Sequence, residues 1–425
     1  MQHATATDVG MRRNSNQDSH AVVTASDWQS WHERGHLFVV ADGMGAHAAG
    51  ELASKLAADG IPHAYQSYRN DSPPDAILKA VRAINQQIHH RGSANTDFHN
   101  MGTTASVLLI LPQGALVAHV GDSRIYRQRQ HVLEQLTFDH RLVWEMRASG
   151  QLPNNEEAAA TIPANVITRS LGPQAKVLVD LEGPHPIESG DTFLLCSDGL
   201  TGCVKDEEIG PLLHSLPPTD AARMLVDLAN LRGGPDNITA IIVRVTGPQI
   251  TTSSASTEPL VVGGQRENTK VRPELWTAMG ILAMAMVIFS VAGWTIMAWA
   301  VATGILLLTV LVLIQKFKGD SHNGPVQLSN HQLGKGPHTR IHCPPCSDFV
   351  SKLENISNQL RDATKDKEWK IDWETFNTSV TSARSATNQE NFADAVRGYA
   401  HAIIHIMGEL RDQDSQDTRG PLPDS

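Results

Sequence analysis

His36-Leu37-Phe38-Val39-Val40-Ala41-Asp42-Gly43-Met44-Gly45-Ala46-His47-Ala48-Ala49-Gly50-Glu51 is an apolar run that stops on an acid and turns through small residues. It then enters a helical pattern, Gly50–Asp59. Strand, Asp-Gly turn, helix is the reading of this stretch. Working outward, short β-rich runs recur at Thr104–Leu111, Ala115–Val120, Thr192–Cys196 and Ile238–Val245. Helical patterns lie between them at Pro74–His89, Leu142–Ser149 and Thr219–Leu231. Residues 1–245 are therefore expected to form one α/β unit, large enough for a substantial layered core.

Several of these runs end or begin on acids. The set comprises Arg13-Asn14-Ser15-Asn16-Gln17-Asp18, Ala41-Asp42-Gly43, Val120-Gly121-Asp122-Ser123-Arg124, Cys196-Ser197-Asp198-Gly199-Leu200 and Gly234-Pro235-Asp236-Asn237-Ile238-Thr239. Alone, each reads as a turn or an Asx-turn. Together and in this order they are specific. The chain resembles the metal-dependent protein phosphatase family, the type 2C Ser/Thr phosphatases, and their bacterial members most closely. The resemblance spans roughly residues 6–245 and includes Gly102-Thr103-Thr104, Leu136-Thr137-Phe138-Asp139-His140 and Ile167-Thr168-Arg169-Ser170-Leu171-Gly172.

The resemblance implies an α/β (α+β) fold of two packed, mainly antiparallel β-sheets flanked by helices, a four-layer αββα arrangement. It also implies hydrolysis of phosphoserine and phosphothreonine in proteins, with a Ser/Thr kinase as natural counterpart. Phosphate-monoester hydrolysis is very slow in water. Paired Mg²⁺ or Mn²⁺ ions, which favour oxygen ligands, can acidify a shared water for in-line attack. Asp42 corresponds to the carboxylate bridging both ions, and the Gly43 carbonyl to a ligand of one. Asp198 and Asp236 correspond to ligands of the other. Asp18 would orient metal-bound water. Asp122 with Asp198 matches the third-metal site of bacterial members, although Gly-Asp-Ser-Arg also reads as a plain hairpin turn. Arg13 would grip the substrate phosphate through its guanidinium fork. Asn237 is expected to fix its turn rather than touch metal. Two positions depart from the family: Gln17 stands where many members have Glu, and Met44 where eukaryotic members place His. His47, three residues on, reads as helix-start packing. The segment Asp139–Asn165 corresponds to the family's flap. The rival expectation is a catalytically silent scaffold, to which Gln17 alone points.

The second half reads differently. Residues 246–274 have a linker composition. Leu275–Ile314 is 40 residues without Asp, Glu, Lys or Arg. One straight helix of that length would reach about 60 Å, twice the hydrocarbon thickness. Two spans, 275–292 and 296–314, with a turn near Ala292–Thr295 fit better. Lys270 and Arg272 precede the stretch and Lys316 and Lys318 follow it, so both ends are expected in the cytoplasm. Two spans without a polar pathway residue disfavour a transporter. Met1-Gln2-His3-Ala4-Thr5 does not read as a signal peptide, and four cysteines suggest no disulfide framework. The net charge of −10 gives no support for nucleic-acid binding. A polar linker is expected over 316–346, a small cytoplasmic helical domain over 347–412 and a frayed tail over 413–425. Trp369, Trp373 and Phe376 are candidates for that domain's core. Cys343 and Cys346 read as loop residues; a zinc there would need two more ligands, with His338 and His342 the candidates.

Overall fold

The computed structural model describes residues 1–45, 48–152, 162–163, 166–252, 260–263, 282, 284–294, 299, 301–303, 326–327, 333–365 and 369–417. His47, much of the flap, much of the expected spans and the extreme C-terminus lie outside the described residues.

Two antiparallel sheets stack face to face. The first runs β1 (Gln2–Asp8), β11 (Ile238–Arg244), β10 (Thr192–Cys196), β7 (Arg124–Arg129), β8 (Val132–Gln135) and β14 (Thr339–His342). The second runs β2 (Asp18–Val23), β3 (His36–Met44), β5 (Ala105–Leu111), β6 (Gly114–Val120) and β9 (Asp180–His185), with the short β4 (Gly102–Thr103) beside β3. Side chains alternate between faces with period two. Phe38, Val40, Leu108, Ile110, Phe193, Leu195, Ile241 and Val243 fill the space between the sheets. Their neighbours Leu37, Val39 and Ala41 are buried on the opposite face, where, after the short α1 (Trp28–Arg34) between β2 and β3, α2 (Ala49–Ser67) and α3 (Pro73–Ala94) pack. On the first sheet, Leu194, Cys196, Ala240 and Ile242 instead join α6 (Asp206–Ser215) and α7 (Pro218–Leu231). The result is helices, sheet, sheet, helices.

The C-terminal helices depart from the expectation of a small domain of their own behind a polar linker. α8 (Ser347–Lys365), α9 (Trp373–Asn388) and α10 (Phe392–Asp417) share one core with α6 and α7. Val350, Leu353, Val396, Tyr399, Ile403 and Ile406 meet Leu212, Leu216, Met224 and Leu225 in it. Arg397 donates to the Ser215 carbonyl at 3.2 Å, and Arg411 pairs with the fully buried Asp227. β14 extends the first sheet by pairing with β8. Phe376 is buried, Trp373 meets it edge-on at 5.7 Å, and Trp369 is half-buried. Met1–Pro259 and Asn330–Ser425 thus form one compact unit. The physical reason is that an apolar helical stripe needs a partner face, and α6 and α7 offer one.

Leu260–Ser329 form a second unit. In it β12 (Val261–Val262) pairs with β13 (Val326–Gln327). Residues 284–291 are helical. Their last turn closes with the Trp294 amide donating to the Phe289 carbonyl at 2.9 Å, past Gly293 at φ 76°. Among the described residues, no helix is long and apolar enough to cross a membrane.

Candidate metal centre

Antiparallel pairing brings the acids to one end of the sandwich. Asp18 opens β2 directly opposite Asp42 near the end of β3. β6 runs parallel to β3 with β5 between them, so Asp122, just past β6, lies at the same end. β10 and β11 are antiparallel neighbours, which puts Asp198, after β10, beside Asp236, before β11.

Each acid is held by its surroundings. The Asp42 amide donates to Thr104 Oγ1 at 2.9 Å, and Thr103 Oγ1 donates back to the Asp42 carbonyl at 2.9 Å. The Gly102-Thr103-Thr104 motif therefore clamps the bearer of the first acid. Gly43 permits a close backbone approach: a Cβ there would lie 2.1 Å from the Gly50 carbonyl oxygen. Asp18 accepts a 2.7 Å hydrogen bond from Ser197 Oγ through Oδ2. Asp198 is the first residue of α5 (Asp198–Thr201). Gly199 behind it lets that turn lie on Asn237, where a Cβ would be 2.0 Å from the carbonyl oxygen. Asn237 donates through Nδ2 to the Val9 and Ser15 carbonyls at 2.8 and 2.9 Å, and its Oδ1 accepts from the Gln17 amide. It pins the loop that carries Arg13 and Gln17, as its turn-fixing role requires.

The electrostatics follow from crowding carboxylates in a poorly solvated place. Burial pushes Asp18 up to about 7, with Asp198 and Asp236 adding to the rise against hydrogen bonds from Ser197 and Thr239. Asp42 rises well above the ordinary carboxylate range, through burial and then through Asp18, Asp198, Asp122 and Asp236. Asp122 goes to about 6, by burial and by Asp198, against the pull of Arg141. Asp18 Oδ1 and Asp122 Oδ1 are buried with no hydrogen-bond partner. Several acids and two orphaned anionic oxygens are a donor set suited to a hard divalent cation. Among the described residues, no three His, Cys, Asp or Glu side chains already close into a ready metal cage. Arginines draw the outer oxygens instead. Arg13 Nη2 donates to Asp236 Oδ2 at 2.8 Å, so Arg13 sits at the site on an acid rather than apart from it. Arg141 Nε donates to Asp122 Oδ2 at 2.6 Å and its Nη2 to Asp198 Oδ2 at 2.7 Å.

Arg141 is the site residue that sequence reasoning missed, and His140 positions it. The His140 amide donates to the Gly121 carbonyl at 2.8 Å, and His140 Nδ1 accepts from the Gly121 amide at 2.9 Å. His140 Nε2 meets Asp180 Oδ2 at 2.9 Å, and Arg169 holds the other Asp180 oxygen at 2.7 Å. The Asp139-His140 and Thr168-Arg169 motifs thus lock the Asp122 turn. The signal was in the sequence only as a motif without an assigned role.

A family model described as protein phosphatase 2C matches residues 11–230. The chain belongs to the protein phosphatase 2C family. This bacterial-type Ser/Thr protein phosphatase is similar to the protein phosphatase PhpP of Streptococcus pneumoniae, with 38% identity over 57% of this chain and 97% of the relative. It is also similar to the solved serine/threonine phosphatase PstP/Ppp of Mycobacterium tuberculosis, with 33% identity, a TM-score of 0.50, and coverage of 58% of this chain and 99% of that one. A PstP catalytic domain has been solved in complex with two manganese ions; it is 33% identical, with a TM-score of 0.48, covering 58% of this phosphatase and 98% of that chain.

Proposed function

We propose that this phosphatase hydrolyses phosphoserine and phosphothreonine in cytoplasmic proteins at a paired Mg²⁺ or Mn²⁺ centre held by Asp42, the Gly43 carbonyl, Asp198 and Asp236. The observation that carries it is the convergence of Asp18, Asp42, Asp122, Asp198 and Asp236 at one end of the sandwich, with Asp18 Oδ1 and Asp122 Oδ1 buried and without a hydrogen-bond partner. When bound, the ions neutralise the acids and the substrate's phosphate oxygens and acidify the attacking water. Asp18 would orient the attacking water, since its Oδ1 is buried without a partner while Ser197 holds the other carboxylate oxygen. Half-exposed Arg13 binds the phosphate, its guanidinium already drawn to the site by Asp236. Asp122 with Asp198 flanks a third cation position. Gln17, neutral where many relatives carry Glu, contributes through its backbone amide to Asn237. A silent scaffold would have no need of Asp18 and Asp122, each buried with one carboxylate oxygen that nothing in the fold satisfies.

The test is hydrolysis of a phosphothreonine peptide by the full-length chain. Activity should require Mn²⁺ or Mg²⁺, and Asp198→Asn or Asp236→Asn should lower it more than about 100-fold. Equal rates in wild type and both variants would overturn the proposal.

The same proposal includes a membrane anchor, a two-span hairpin within 275–314 with the catalytic unit in the cytoplasm. Three observations support it. The segment carries no charged residue. Its described residues expose large apolar side chains: Val287 is 63% exposed, Val291 85% and Trp299 73%. The chain leaves one compact unit before this segment and returns to that same unit after it. A segment whose two flanks fold together on one side of a bilayer crosses it an even number of times.

A further inference from the structure

We propose that the Arg141 guanidinium is a resident cation that takes the place of a third divalent ion between Asp122 and Asp198, and that it straps the flap helix to the catalytic site. This rests on the paired-metal reading above and adds a statement about how many ions the chain takes. One fork reaches both acids, Nε to Asp122 at 2.6 Å and Nη2 to Asp198 at 2.7 Å. Asp122 is only 1% exposed, and its second oxygen has no partner, so its charge faces the guanidinium rather than water.

The arginine is placed, not merely nearby. It precedes α4 (Leu142–Ala148), and its carbonyl accepts from the Glu145 amide at 3.0 Å. Arg141 also bridges to Ile167, and the Leu142 amide donates to the Val166 carbonyl at 3.0 Å. His140, immediately before it, is doubly bonded to Gly121 beside Asp122. The backbone at both ends of the ion pair is therefore fixed. A guanidinium stays protonated throughout the working pH range and needs no uptake from solution. A divalent ion entering this position would have to expel it and leave a partly buried cation unpaired, which is unfavourable. Two consequences follow for the phosphatase. Its third position is filled by its own side chain at every ion concentration. The helix α4 is tethered through Arg141 to the ligand Asp198, so the position of that helix and metal affinity are linked.

The experiment counts Mn²⁺ bound by the full-length chain, reading free Mn²⁺ by electron paramagnetic resonance during titration. Wild type and Arg141→Lys should saturate at two equivalents. Arg141→Ser and Arg141→Gln should each gain one further, weaker equivalent, lost again when Asp122→Asn is added. Two neutral variants are used so that one folded variant, checked by near-ultraviolet circular dichroism, suffices. Three equivalents in wild type, or an unchanged count of two in the neutral variants, would overturn the inference while leaving the paired centre standing. Fewer than two in wild type would instead remove the paired centre itself, and this inference with it.

Discussion

Asp18 shows how burial sets behaviour at the level of one side chain. Its carboxyl is pushed up to about 7, first by burial. Between the ordinary value of 3.8 and about 7 the native state holds a proton that the unfolded chain has released. Stability from this group is therefore lost as pH rises through that window, and the charge-burial cost is complete above it. Asp18→Asn, which stays neutral, should raise the melting temperature of the metal-free chain. The gain over wild type should be about 5 °C larger at pH 7.5 than at pH 5. Saturating Mn²⁺ should shrink or reverse that gain, because the ions supply the missing positive charge. A pH-independent difference in thermal melts would contradict this account. The acids themselves were singled out in the sequence by the resemblance of five motifs, in order, to those of the phosphatase family, each motif alone reading as a turn. Arg141 was not legible. An arginine at the start of a polar flap reads as a solvated side chain, and only the folded turn of Gly121 and Asp122 shows what it reaches.

Among the elements, the strands with strong apolar runs were read close to their observed bounds; β10 is Thr192–Cys196 in both sequence and structure. β1 was missed because Gln2–Asp8 is an edge strand with an alternating exposed face and only alanines for apolar residues. β14 was missed because four residues, Thr339–His342, sit in a Gly- and His-rich stretch whose composition suggests a linker. Its burial partner gives a direct check. Cys343, next to β14, lies in the core under α6, where a Cβ on Gly210 would stand 2.1 Å from its Sγ. Burial also lifts its thiol to about 11, which suits an inert packing residue rather than a metal ligand. Gly210→Ala should destabilise the fold by about 1–3 kcal/mol through overpacking. Cys343→Ala in the same chain should restore most of that loss. Urea unfolding of the two single variants and the double variant measures the coupling, and strict additivity would mean that the two residues do not touch.

For the molecule as a whole, helical periodicity revealed that residues 347–412 own apolar faces, but periodicity carries no information about which surface covers them. That is why an independent domain was expected and a shared core was found. The proposed anchor has a test at this scale, in intact cells carrying the full chain. Native Cys346 is exposed on the catalytic unit, and Ala292 lies at the helix-ending turn. An impermeant maleimide should label Ala292→Cys from outside, while Cys346 reacts only after permeabilisation. Labelling of Cys346 in sealed cells would rule out a cytoplasmic catalytic unit, and an Ala292→Cys site that labels only after permeabilisation would rule out the hairpin. The order of the chain has one more consequence. The outermost strand of the first sheet and the helices over α6 and α7 are encoded after the apolar stretch. During translation, the ribosome therefore emits the greasy segment before it emits the strand and helices that cover this flank of the sandwich.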